Sequence, residues 1–113
     1  MEQQLLSALG HPVAQLRLAW ELATAPDAEC HDGRRAVAEA KAALKHGESV
    51  ELLDTLAAAY ARNGDFDSAL ETQGKVLALV KSGQTAVTDS QGRLSAYEER
   101  WALYELRQPY QRD

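Results

Sequence analysis

Leu53 to Leu77 reads LDTLAAAYARNGDFDSALETQGKVL, and this stretch decides the fold. Leu53, Leu56 and Tyr60 recur at helical spacing, and Ala69, Leu70, Val76 and Leu77 take up the same period again. Between them Asn63-Gly64-Asp65 makes a tight turn, so the stretch reads as helix, turn, helix. The same stop signal recurs along the chain. Lys45-His46-Gly47, Arg62-Asn63-Gly64 and Lys81-Ser82-Gly83 each place a cation two residues before a glycine. Glycine supplies the left-handed conformation that ends a helix, and a cation in the last turn complements the helix dipole.

Working outward, Ser49 is expected to cap the helix that buries Leu52, Leu53, Leu56 and Tyr60. Asp65 is expected to cap the next, with Phe66, Ala69, Leu70, Val76, Leu77 and Val80 inward. Upstream, Pro12 suits the first turn of a helix carrying Val13, Leu16, Trp20 and Ala23, with Leu18 and Leu22 widening the stripe. That helix ends before Pro26, and Asp32 would cap a second one burying Ala36, Val37, Ala40, Ala43 and Leu44. Residues 2–9 could add two turns with Leu5, Leu6 and Leu9 on one side. Downstream, Thr88 and Gln91 have capping-box spacing for a fifth helix running to about Arg107, closed by Pro109.

Composition agrees. The 113 residues form one domain, long enough to bury about two thirds of the unfolded surface. Ala, Leu and Glu abound while β-branched and aromatic residues are few, which makes the chain all-α. A formal charge of −5 with no basic run speaks against nucleic acid or an anionic membrane surface. No apolar stretch approaches the roughly 18 residues of a membrane span, and MEQQLLSALG lacks the basic flank of a secretory signal. The lone Cys30 allows no internal disulfide; a reducing, cytoplasmic setting is expected, with a disulfide-free secreted domain as the alternative.

The helices repeat. The second overlays the fourth with a shift of 33 residues, bringing Ala36 onto Ala69, Val37 onto Leu70, Ala43 onto Val76 and Leu44 onto Leu77. The first overlays the third with a shift of 38, because the first hairpin has a longer turn over Ala25 to His31. This pattern resembles the tetratricopeptide family, whose helical hairpins repeat about every 34 residues. The second repeat keeps Leu53, Leu56, Ala57, Tyr60 and Ala69 in the family's roles, while Gln73 stands where an aromatic is preferred and Lys81 where proline is. The chain is more specifically similar to a bacterial subgroup with L-A-W-x-L-A-T-x-P-D in the first hairpin and Y-x2-R, L-Y and P-Y in a closing helix. Leu18-Ala19-Trp20, Leu22-Ala23-Thr24, Pro26-Asp27, Tyr97, Arg100, Leu103, Tyr104, Pro109 and Tyr110 match.

The resemblance implies a short right-handed solenoid. Residues 1–10 are expected to form a short N-terminal helix, 12–47 a first hairpin, 49–83 a second, and 88–108 a capping helix. Since stacks usually need three repeats, the capping helix is expected to act as a lid, its stripe of Leu94, Tyr97, Trp101 and Tyr104 covering the last hairpin.

For function, the resemblance implies a concave groove lined by the first helix of each hairpin. That face would present Arg17, Trp20, Glu51, Asp54, Thr55, Ala58 and Arg62. The family's clamp for a C-terminal carboxylate is absent, since its positions hold Leu16, Trp20, Thr55 and Glu51. A mixed, partly acidic groove suits a basic or apolar helix or strand of a partner protein. The alternative is self-association, as a homodimer or larger oligomer, through Leu5, Leu6 and Leu9. No catalytic residue, cofactor or metal ligand is assigned. Cys30-His31 lacks a second Cys/His pair at zinc spacing and reads as an exposed loop, with His11 and His46 near helix ends. Asp65 and Asp67 read as a cap and a dipole partner, and Trp20 and Trp101 as core.

Overall fold

The computed structural model describes residues 12–25, 30–82 and 90–111. Among them are five helices and no strand: α1 (Pro12–Thr24), α2 (Cys30–Leu44), α3 (Val50–Arg62), α4 (Phe66–Lys81) and α5 (Ser90–Glu105). The all-α reading therefore holds. The expected helix over residues 2–9 with its leucines, the Pro26-Asp27 pair, the Gly83 stop and the Thr88 cap lie outside the described residues.

Local chemistry sets the helix ends. The Leu52 amide donates to Ser49 Oγ at 3.1 Å and the Ser68 amide to Asp65 Oδ1 at 3.2 Å, so both expected caps form. Gly64 takes φ +84° and closes α3 with two reversed bonds, Gly64 N–H to the Ala61 carbonyl and Asp65 N–H to that of Tyr60. The end of α5 repeats this pattern without a glycine. Arg107 adopts φ +59°, its N–H donating to the Tyr104 carbonyl and the Gln108 N–H to that of Leu103. The Arg107 guanidinium then meets Asp67 at 3.2 Å and lies 6.0 Å from the Phe66 ring centre. One boundary differs from expectation. α2 already begins at Cys30, so Asp32 lies in its first turn and Cys30-His31 is helical, not loop.

Packing follows from where the small residues fall. α1 packs on α2 and α3, α3 on α2 and α4, and α5 along α4 with a narrower contact to α3. Ala23, Ala36, Ala58 and Ala59 are all fully buried where α1, α2 and α3 meet. Ala57, Ala61 and Ala69 do the same between α3 and α4, with Tyr104 of α5 filling the space beside them. Ala69 is buried as expected; Phe66, Leu70, Leu77 and Trp101 are half-buried at the margins. Direction is set by end contacts. Arg107, just past α5, pairs with Asp67 at the start of α4, and Lys81 at the end of α4 lies 3.8 Å from Glu98, so these helices run oppositely.

α2 and α3 approach closely at Gly33, in the first turns of α2. A Cβ there would lie 2.7 to 2.9 Å from Asn63 N, Asn63 Cα and Arg62 C, all backbone atoms at the end of α3. No side-chain rotation relieves such a clash. Gly33→Ala is expected to push α2 off α3 and cost about 1–3 kcal/mol despite alanine's better helix propensity, read as a lowered urea midpoint. A midpoint at or above the parent's would show that the two helices have room.

Candidate functional site

The helices leave a cavity of about 510 Å³ along one face. α1 lines it with Leu16, Arg17, Trp20 and Glu21, α3 with Glu51, Asp54 and Thr55, and α5 with Ala96, Tyr97 and Arg100. Spacing explains the first two walls. Leu16 and Trp20, like Glu51 and Thr55, are one helical turn apart and share a face. Five of the seven sequence-assigned residues therefore lie together: Arg17, Trp20, Glu51, Asp54 and Thr55.

Two lie elsewhere. Ala58 is one turn beyond Asp54, but α1 and α2 close over it and it is fully buried. Arg62 is turned to the end of α1, where its Nε donates to the Ala23 carbonyl at 3.0 Å and its Nη2 to that of Ala25. It satisfies carbonyls that a helix C-terminus leaves unpaired, and its role is to lock α3 to α1.

Asp54 also differs from its expected place on an open acidic face. It is buried and held by Arg100 in a two-pronged ion pair, Nε to Oδ1 and Nη2 to Oδ2, both at 2.9 Å. Gln73 of α4 completes the group, its amide nitrogen donating to Asp54 Oδ1 at 3.1 Å and to the Tyr97 carbonyl at 3.0 Å. Around the guanidinium stand the rings of Trp20, Tyr97 and Tyr110, with centres at 5.4, 5.5 and 5.0 Å. Arg100 thus ties together α3, α5, the segment after α5 and, through Trp20, α1.

Burial pushes the Asp54 carboxyl above its ordinary value, while the Arg100 charge and the hydrogen bonds from Arg100 and Gln73 pull it back. Burial also disfavours the Arg100 cation, yet the adjacent Asp54 carboxylate leaves the guanidinium above its usual value. The Tyr104 phenol is raised by burial and, secondarily, by the Asp54 charge. The two-pronged contact makes the cavity floor a closed ion pair. Its rim is set by Arg17 and Glu51, both exposed, and by half-buried Glu21.

α5 does more than cover the second helix pair. Its Tyr97 and Tyr104 are buried against the second helix pair, but its Ala96, Tyr97 and Arg100 form one whole wall of the cavity. Gln73 was the available clue. A polar residue set among Ala69, Leu70, Val76 and Val80 on an inward stripe requires a buried partner, and its partners prove to be α3 and α5. Among the described residues no group of His, Cys, Asp and Glu could hold a metal ion, and no helix is long and apolar enough to cross a membrane. No family model, curated protein or solved structure matches the chain.

Proposed function

We propose that the chain is a protein-interaction module of tetratricopeptide type. In this reading α1–α2 and α3–α4 are two helical hairpins stacked as a short right-handed solenoid, α5 caps the stack, and the groove receives a segment of a partner protein. The observation that carries it is the position of the cavity, between the first helix of each pair and α5. Its chemistry suits recognition. Trp20, Tyr97 and Leu16 offer apolar area, Arg17, Glu21 and Glu51 offer polar contacts at the mouth, and the Asp54–Arg100 pair is engaged internally rather than poised for proton transfer. A basic or apolar helix or strand fits such a groove, and the module carries out no reaction of its own.

Affinity capture from a lysate of the source organism tests this, using the parent chain and two groove variants, Glu51→Lys and Ala96→Glu. A control variant, Glu71→Lys, alters the exposed face of α4. The partner captured by the parent and by the control is expected to be lost from both groove variants, with far-UV circular dichroism unchanged. A partner retained by both groove variants would remove the groove from consideration.

A further inference from the structure

The outward faces of the helices differ in how they carry charge. α4 exposes Asp67, Glu71, Lys75 and Lys81, a mixture of signs of the kind a solvated surface shows. α2 and α5 are sorted. The exposed positions of α2 among the described residues are Arg34, Arg35, Ala38 and Lys41, followed by Lys45 just past its end. Those of α5 among the residues whose exposure is described are Ser95, Glu98, Glu99, Ala102 and Glu105, with Glu98 3.8 Å from Lys81 of α4 and exposed Arg107 just past the helix end. In a chain with an overall charge of −5, a helix whose exposed charges among the described residues are all cationic is a local reversal of sign.

The two faces also match in register. Arg34, Ala38 and Lys41 are spaced by four and three residues, and Glu98, Ala102 and Glu105 by the same four and three. Each set falls on one line along its helix, charge at both ends and an alanine between. Two helices meeting through these lines would bring opposite charges together at both ends, in either relative direction, while the alanines allow the backbones to approach. Within one molecule they cannot meet. α2 packs on α1 and α3, whereas α5 lies beyond α4, at the other side of the second helix pair. Beside the acidic line, at the end of α5, stands Leu106, 67% exposed and the one large apolar side chain so exposed among the described residues.

We infer that these faces join separate copies of the chain head to tail, the acidic α5 face of one against the basic α2 face of the next. Such a contact uses two different patches, so each copy keeps one free end and the assembly grows as an open chain rather than closing as a symmetric pair. Exposed charges drive it, so it is weak and sensitive to salt. The groove between α1, α3 and α5 stays open in every copy, and the inference stands independently of what that groove binds.

Sedimentation velocity over a concentration series reads this directly. In low salt the weight-average mass is expected to climb above the 12.4 kDa of one chain with concentration, and to return to it in 0.5 M salt, where the screening length is roughly half that at physiological strength. Two charge-reversed variants supply the decisive arm. Arg34→Glu with Lys41→Glu makes both lines acidic, and Glu98→Lys with Glu105→Lys makes the α5 line basic like that of α2. Each variant alone should remain at 12.4 kDa, and an equimolar mixture should associate again, because each then meets a complementary face. A parent chain that stays at one-chain mass at every concentration in low salt would overturn the inference. So would association that persists in high salt, or two well-folded variants whose mixture does not associate.

Discussion

Asp54→Ala is expected to be among the most damaging single changes in this protein, costing about 3–5 kcal/mol out of a typical total of 5–15. Removing the carboxylate strands the Arg100 guanidinium in a buried setting, and a guanidinium cannot shed its charge in a protein. The reciprocal change is expected to be milder. In Arg100→Met the stranded group is a carboxyl whose proton affinity burial already raises, so it can take up a proton and become neutral. That difference gives a pH dependence of known sign. Because the folded-state pKa of Asp54 lies above its unfolded value, the folded chain binds more protons between the two, and stability falls as pH rises through that window. Arg100→Met should therefore regain stability as the pH is lowered from neutral towards the ordinary carboxylate value of 3.8, whereas Asp54→Ala should show no such recovery from this site. Urea midpoints at pH 7 and pH 5 separate the cases. Equal midpoints for the two variants at both pH values would mean that the ion pair is solvated, contrary to its geometry.

Tyr104→Ala is expected to cost about 3–5 kcal/mol, the range found for deleting a buried aromatic. Its side chain is fully buried and fills the space beside Ala57, Ala61 and Ala69, whose methyl groups are too small to take its place. Tyr104→Phe should stay within about 1 kcal/mol of the parent, because the ring and not the hydroxyl occupies that space. The sequence places Trp101 and Tyr104 in one inward stripe and reads Trp101 as core; in the structure the weight falls on Tyr104, since Trp101 is half-buried, its ring lying over Gly74 at the margin of α4. Thermal melts of Tyr104→Ala and Trp101→Ala compared side by side check the ranking, and a larger loss from Trp101→Ala would reverse it.

Much of the fold was legible because it is encoded locally. Ser49, Asp65 and Gly64 act within a few residues of themselves, and the helical period of apolar residues needs no distant partner to be read. The burial of Ala36 and Ala69 followed from the 33-residue overlay of α2 on α4. Legibility ended where the determining contact joins residues far apart in the chain. Asp54 and Glu51 look alike in sequence, each an acid on the same helix, and what separates them is an arginine 46 residues away. Arg62 shares the groove-facing stripe of α3 on paper, yet the bare carbonyls at the end of α1 claim it. The start of α2 could not be read from Asp32, since a good capping residue is also tolerated in a first turn. Arg100 was visible as part of the Y-x2-R pattern, but nothing local to α5 says that its guanidinium points to Asp54 and not to solvent.

The left-handed turn at Arg107 carries a consequence for how the molecule comes apart. By reversing the chain after α5, it returns Tyr110 to the opposite side, where the ring meets Trp20 of α1 at 5.8 Å between centroids. In a linear array of helices each end can unravel on its own, since only one neighbour holds it. Here the last segment is fastened to the first helix, and the array has no loose end among its described parts. Peeling α5 away breaks contacts on α1, and fraying of α1 releases the tail of α5. Amide hydrogens in these two helices, at opposite ends of the sequence, should therefore exchange through a shared opening, with similar protection. Tyr110→Ala should uncouple them, letting α1 exchange faster while the protection of α3 changes little.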